Sequence, residues 1–360
     1  MTDLLPWLEG SRAPASWPAR AGLAALGALG GVYGGLQWLR TLKPDPFRAP
    51  CPVISVGNLT AGGTGKTPTV LWLARHLAPS GRRIAIVSRG YRQQSRAPVT
   101  VVADPDGQRL YPPLAADEAS FLAGSLPGVA VLTGRHRPTL IRHAVERLHC
   151  DLVLMDDGFQ RLDVYKDLDL LLLDAARPLG NGRLLPGGLL REFPSAIRRA
   201  HAVVLTRADD PRATLATRAW LAERFPQVPV MTATHRPTAW IPLHAPRDPL
   251  PLDGLTAPLF AFCAIAAPDR FFTTLRGLTL DLRGQRPFPD HHPFSPQETA
   301  RLLAEAADLG ATALVCTEKD AVKLDPARID MPVFALRVEI AFAPAPLWLE
   351  QRLAALLFSA

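Results

Sequence analysis

Two side chains that directly follow a run of glycines, Lys66 and Thr67, are placed to do phosphate chemistry. They close the stretch Val53-Ile-Ser-Val-Gly-Asn-Leu-Thr-Ala-Gly-Gly-Thr-Gly-Lys-Thr-Pro68. A lysine there reaches terminal phosphates, and the neighbouring hydroxyl ligates Mg²⁺. The pattern G-x-x-x-x-G-K-[ST] is met except at its first position, which holds Thr60; Ala61, Gly62, Gly63, Thr64 and Gly65 complete the loop. Backbone N–H groups of such a loop, with the positive end of the following helix, cradle anionic oxygens. Residues 60–67 are expected to bind a nucleoside triphosphate.

Other chemistry-bearing residues stand in short clusters. Asp156-Asp157 directly follows the apolar run Leu152–Met155, the position of an acid that holds Mg²⁺ or its water. Asp117-Glu118 opens an apolar helical segment, where acids commonly act as caps or dipole partners. Arg191-Glu192 lies in a loop-like stretch rich in glycine and proline and reads by itself as a surface ion pair. Asp290-His291-His292 offers either a metal pair or a histidine that assists proton transfer from a cleft. No third histidine or cysteine stands at helical spacing to it, which disfavours zinc.

These residues need elements to position them. Val/Ile/Leu runs at 53–56, 84–87, 129–132, 152–155, 168–173 and 202–205 alternate with helical patterns at 67–78, 117–124 and 137–149. Continuous apolar strands separated by helices predict a parallel sheet covered on both faces, with functional residues at the carboxyl ends of the strands. The expected architecture is an α/β fold, a P-loop NTPase-type mostly parallel sheet. A second, smaller α/β unit is expected to follow, with strands at 259–265, 313–316 and 333–338 and helices at 268–276 and 296–308. The expected division is an N-terminal helix in 1–45, a P-loop unit in 46–245, the smaller unit in 246–345 and a closing helix in 346–360.

The 360 residues carry a net charge of +7, spread along the chain, which suits anionic partners. No compact basic motif interleaved with aromatic residues stands out, so nucleic acid is not expected as a partner. The four cysteines are far apart and lie in or beside apolar runs, as buried free thiols do in a reducing compartment. Ala21–Trp38 holds no charge, with Arg12, Arg20, Arg40, Lys43 and Arg48 around it and Trp17 and Trp38 at its ends. It reads as an interfacial anchor, a single span, or a glycine-rich helix packed on the protein; the flanking basic residues favour a helix lying in an anionic membrane surface.

Taken together, several segments resemble the tetraacyldisaccharide 4′-kinases, which phosphorylate a lipid A precursor in Gram-negative bacteria. They are Val56-Gly-Asn-Leu-Thr-Ala-Gly-Gly-Thr-Gly-Lys-Thr-Pro68, Ser88-Arg-Gly-Tyr91, Asp156-Asp-Gly-Phe-Gln160, Pro186-Gly-Gly-Leu-Leu-Arg-Glu192, Asp290-His291 and Thr317-Glu-Lys-Asp-Ala-Val-Lys323. They run in family order and cover nearly the whole chain. The resemblance implies transfer of phosphate from ATP, with Mg²⁺, to the 4′-hydroxyl of an acylated disaccharide 1-phosphate at the cytoplasmic face of the inner membrane. It implies that Asp117 works with His291 as a catalytic dyad; here the segment reads Ala116-Asp-Glu-Ala119, with both family flanks changed. It further implies Lys66 on the phosphates, Thr67 with Asp156 or Asp157 on the metal, Glu192 beside that metal and Arg191 near the phosphates. Arg89 and Tyr91 are expected to line the acceptor site. Two other readings stay open from the residues: a membrane-associated P-loop ATPase acting on a protein partner, and a GTPase switch. The first lacks its extra loop lysine, since Ala61 stands there, and the second lacks the asparagine of its base-reading motif at Thr206-Arg-Ala-Asp209.

Overall fold

The computed structural model describes residues 5–8, 17–41, 45–107, 109–112, 114–246 and 248–358. Helices α1 (Leu5–Leu8) and α2 (Trp17–Arg40) precede the sheet. Strand β1 (Val53–Asn58) leads through the glycine loop into α3 (Lys66–Leu77). There follow β2 (Ile84–Ser88), β3 (Thr100–Ala103), α4 (Asp117–Ser125), β4 (Ala130–Thr133), α5 (Arg137–Leu148), β5 (Leu152–Asp156), β6 (Leu168–Asp174), β7 (Ala202–Thr206) and α6 (Pro211–Arg224). A long strand, β8 (Val230–Pro242), carries the chain to β9 (Leu259–Cys263), α7 (Pro268–Arg276), β10 (Leu282–Pro287), α8 (Pro296–Asp308), β11 (Ala313–Thr317) and α9 (Glu318–Ala321). The chain returns along β12 (Val333–Phe342) and closes with α10 (Leu347–Phe358).

The strands form one sheet in the order β10-β9-β11-β12-β8-β7-β6-β1-β5-β2-β4-β3. Its pairs are parallel except β3 with β4 and β8 with β12. Alternate residues of β1 and β6 enter opposite layers. Ile54, Val56, Leu170 and Leu172 pack with α3, α4 and α10. Val53 packs with α5, and Leu171 and Leu173 pack with α6. Apolar cover on both faces is what the uninterrupted Val/Ile/Leu runs require. In the second half of the chain Phe260 and Phe262 face α8, while Leu259, Ala261 and Cys263 face α7.

The two halves of the sheet are joined by β8 and β12, each parallel to its other neighbour but antiparallel to one another. Their register shifts between Arg337, opposite Ala239, and Val338, opposite Pro237, so Thr238 is an extra residue on β8. A proline cannot donate to a ladder, and a bulge is where a strand accommodates one. The polar, proline-bearing sequence of β8 and the polar sequence of edge strand β10 gave no apolar run, and neither strand was expected; nor were β3 and α6.

The N-terminal stretch is a helix whose two sides differ. On one side a Cβ at Gly30 would lie 2.8 Å from the Leu184 carbonyl, and one at Gly34 would lie 2.8 Å from the Phe193 ring. Glycine lets the helix lie directly on the 183–193 loop. On the opposite side Leu29, Val32, Leu36 and Leu39 form an exposed stripe, each at least half exposed. No helix among the described residues is long and apolar enough to cross a membrane. Arg12 and Lys43, and the side chains of Trp17, Arg20 and Arg40, lie outside what is described. Cys150, Cys263 and Cys316 are buried free thiols and Cys51 is half-buried.

Candidate active site

The glycine loop is held from three sides. Asn58 at the end of β1 donates to the Gly62 carbonyl at 3.2 Å, and the Ala61 amide donates to the Leu189 carbonyl at 2.7 Å. Thr206 at the end of β7 donates to the Thr64 carbonyl at 2.8 Å, and Arg207 donates to the Gly63 carbonyl while pairing with Asp174. Gly62 (φ 113°) and Gly65 (φ 89°) adopt backbone that other residues rarely enter. At Gly65 a side chain would also run into the His235 ring of β8. Burial, then the charge of Arg207, pushes that imidazole down to about 4, so it is neutral at neutral pH.

Lys66 and Thr67 start α3 at the carboxyl ends of β1 and β5. Lys66 Nζ lies 3.6 Å from Asp157 Oδ1. Asp157, in the left-handed region (φ 56°), also accepts from Arg191 at 2.9 and 3.0 Å. Burial opposes its charge, but Lys66 and Arg191 outweigh it and hold the carboxyl below its ordinary value. Asp156 is the opposite case: burial, then Glu118, pushes it up to about 7. Its Oδ1 is buried with no hydrogen-bond partner among the described residues.

The Asp117-Glu118 pair is not a cap. Residue Ala116 occupies the N-cap of α4 without a side-chain bond, and both acids reach across to the second half of the chain. His291 Nδ1 lies 3.2 Å from Asp117 Oδ2. Lys319 of α9 pairs with Glu118 Oε1, the same oxygen that accepts from the Thr67 hydroxyl at 3.4 Å. Burial works against the charge on Glu118, but Lys319 outweighs it and lowers the carboxyl. Lys319, desolvated too, is in turn held above the ordinary lysine range by Glu118.

The Ser88-Arg-Gly-Tyr91 loop meets the Asp290-His291 segment. The Tyr91 and His291 rings stand edge to face at 5.7 Å, and Arg92 donates to the Asp290 carbonyl at 3.0 Å. Arg89 is exposed at the start of that loop. His292 stacks on Phe288 and pairs with Glu298 at 2.9 Å, a structural use that leaves no metal pair with His291. Glu192 is buried next to Arg191, and Arg199 takes both of its carboxylate oxygens, at 2.8 and 3.1 Å. Arg191 belongs to the group at Lys66, through Asp157 and Gln160.

The donor set fits Mg²⁺. Among the described residues no three acids, histidines or cysteines converge on one point, which excludes an all-protein cage. Mg²⁺ instead takes one or two carboxylates with phosphate oxygens and water. The partnerless Asp156 oxygen and the Thr67 hydroxyl, which donates to Glu118, supply such donors. Glu118, Lys319 and His235 were not singled out for this site from the sequence. The adjacency of Glu118 to Asp117 and the motif around Lys319 were the available signals, whereas nothing local marks His235.

Comparison with known proteins points to one family. The family model of tetraacyldisaccharide-1-P 4′-kinase, LpxK, matches residues 23–357. The tetraacyldisaccharide 4′-kinase of Anaeromyxobacter dehalogenans is 45% identical over 313 residues, 86% of this chain and 80% of that one. That of Syntrophobacter fumaroxidans is 44% identical over 280 residues, 77% of this chain and 72% of that one. The crystal structure of LpxK from Aquifex aeolicus in complex with ATP superposes with a TM-score of 0.77 at 28% identity, covering 93% of this chain and 99% of that one.

Proposed function

The chain belongs to the tetraacyldisaccharide-1-P 4′-kinase family and is a phosphotransferase acting on a hydroxyl; we propose how its own residues carry the reaction. The substrate pair is ATP and a tetraacyldisaccharide 1-phosphate, and the product carries phosphate on its 4′-oxygen. The observation that supports the site assignment is the meeting of His291 with Asp117, one residue from the Glu118 oxygen that receives the Thr67 hydroxyl.

In-line transfer asks for positioning, charge neutralisation and a proton acceptor. The glycine loop, 60–67, binds the phosphates of ATP, with Lys66 on the terminal ones and Arg191 close by. Thr67 and Asp156 would hold Mg²⁺, with Asp157 or Glu118 completing the protein's share; when bound, the ion would neutralise charge on the phosphate oxygens. The 4′-oxygen attacks the γ-phosphorus, the bond to the β–γ bridging oxygen breaks, and ADP leaves. Asp117 takes the hydroxyl proton while His291 orients the carboxylate or relays that proton. Tyr91, edge-on to His291, and Arg89 line the acceptor side.

Residues 46–245 form the nucleotide-binding domain in this reading, and residues 246–345 the smaller domain that brings His291 to it. The exposed apolar stripe of α2 lies in the anionic surface of the cytoplasmic face of the inner membrane, beside its acyl-chain substrate. The test is transfer of labelled γ-phosphate to the lipid in mixed micelles, with ATP and GTP compared. Labelled 4′-phosphate formed from ATP in preference to GTP is expected. Firm GTP selectivity, or nucleotide hydrolysis that yields no labelled lipid, would overturn the reading.

A further inference from the structure

Lys319 is the charged group of the Thr317-Glu-Lys-Asp motif that contacts the acid cluster directly, and the reaction scheme leaves it unused. The rest of the motif is anchored elsewhere. Asp320, fully buried, accepts from the Ala264 amide at 3.0 Å and from the Thr317 hydroxyl at 2.7 Å. Glu318 pairs with Arg337 at 3.1 Å. Lys323 pairs with Asp320 at 2.6 Å and donates to the His292 carbonyl at 3.2 Å. The carbonyl of the same Ala264 accepts from the His291 amide at 3.1 Å. Lys319 and His291 therefore stand on one cross-linked unit, and that unit lands on two consecutive residues of α4.

Its contact is selective. Thr67 and Lys319 share a single oxygen of Glu118, and Lys66 turns to Asp157. Without Lys319, Glu118 would lose the cation that holds the oxygen on which the Thr67 hydroxyl sits, and its carboxylate would be free to turn away.

We infer that Lys319 is a positioning residue for phosphoryl transfer: arriving on the same rigid unit as His291, it fixes Glu118 on the Thr67 hydroxyl, so that the proton acceptor and the metal-side carboxylate are set in one step. This deepens the kinase reading and rests on it. Partly exposed ion pairs contribute little to stability, so Lys319→Met is expected to fold.

The test is a double-mutant cycle on the full chain with Lys319→Met, Glu118→Gln and both together, plus Lys319→Arg. Lipid phosphorylation, ATP affinity by calorimetry and thermal melting would be read for each. Lys319→Met should lower kcat by about 30- to 300-fold while ATP affinity stays within about threefold, and the double variant should be no more than about threefold worse than the poorer single one. Lys319→Arg should restore kcat to within about tenfold of wild type, since the charge is kept. Multiplying losses in the double variant, or ATP affinity falling in step with kcat, would overturn the inference. So would an arginine variant as impaired as the methionine one. Wild-type protein that labels no lipid would sink the kinase reading, whereas equal labelling by wild type and Lys319→Met would sink this inference alone.

Discussion

At Lys66 the ammonium faces developing charge on the transferring phosphate, so Lys66→Ala should lower kcat by about 10²–10³, as loss of a preorganised charge contact does. A loss confined to ATP affinity, with kcat retained, would contradict that role. His235 offers a separate test by pH. Its folded pKa of about 4 lies below the ordinary 6.5, so between those values the unfolded chain binds a proton that the folded one does not. Stability from this group is full above 6.5 and falls as pH drops toward 4, by at most about 3 kcal/mol. Denaturant melts at pH 7 and 4.5 should show a smaller acid loss for His235→Gln than for wild type; an equal loss would mean that the ring is not buried neutral. Lys66 and Thr67 were legible in the sequence because spacing along one strand–turn–helix carries their signal, and Asp156-Asp157 because the pair directly follows the apolar run of β5. Glu118 with Lys319 was not, because the two meet only through tertiary structure.

Among the elements, α2 makes the sharpest claim, since its two faces have opposite duties. Gly30→Val would press on the Leu184 backbone carbonyl, which has no flexible side chain to yield. An overpacking cost of about 1–3 kcal/mol is expected in thermal melts, and an unchanged melting temperature would mean that the helix does not rest on this loop. Leu29→Asp, Val32→Asp and Leu36→Asp together should abolish cosedimentation with anionic vesicles and leave ATP binding unchanged; full vesicle binding by the triple variant would contradict a membrane-facing stripe. Strands β1, β2 and β4 to β7 were readable within a residue or two, because apolar runs with helices between them admit few other structures. Strand β8 was hidden by its polar residues and by Pro237, which sits beside the bulge at Thr238. Strand β10, at the edge, alternates half-buried and exposed residues and offers no apolar run to read.

Across the whole molecule, chemistry is assembled from both ends of the chain. Asp117–His291 and Glu118–Lys319 span the cleft, and Arg75–Glu339 ties α3 to the connecting strand β12 at 2.5 Å. The sequence showed that a phosphate loop, a pair of acids and a histidine were present. It could not show that β12 returns beside β8 and so fixes the second unit over the first. The central claim is that this assembly moves phosphate to a sugar hydroxyl with Asp117 as proton acceptor. The most direct measurement is transfer of labelled γ-phosphate from ATP to a tetraacyldisaccharide 1-phosphate in mixed micelles, with wild type and Asp117→Ala side by side and ATP affinity measured on both. Labelled lipid from wild type, a loss of about 10²–10⁴ in Asp117→Ala, and nearly equal ATP affinity are predicted. Comparable labelling by both proteins, or loss of ATP binding in Asp117→Ala, would contradict the account.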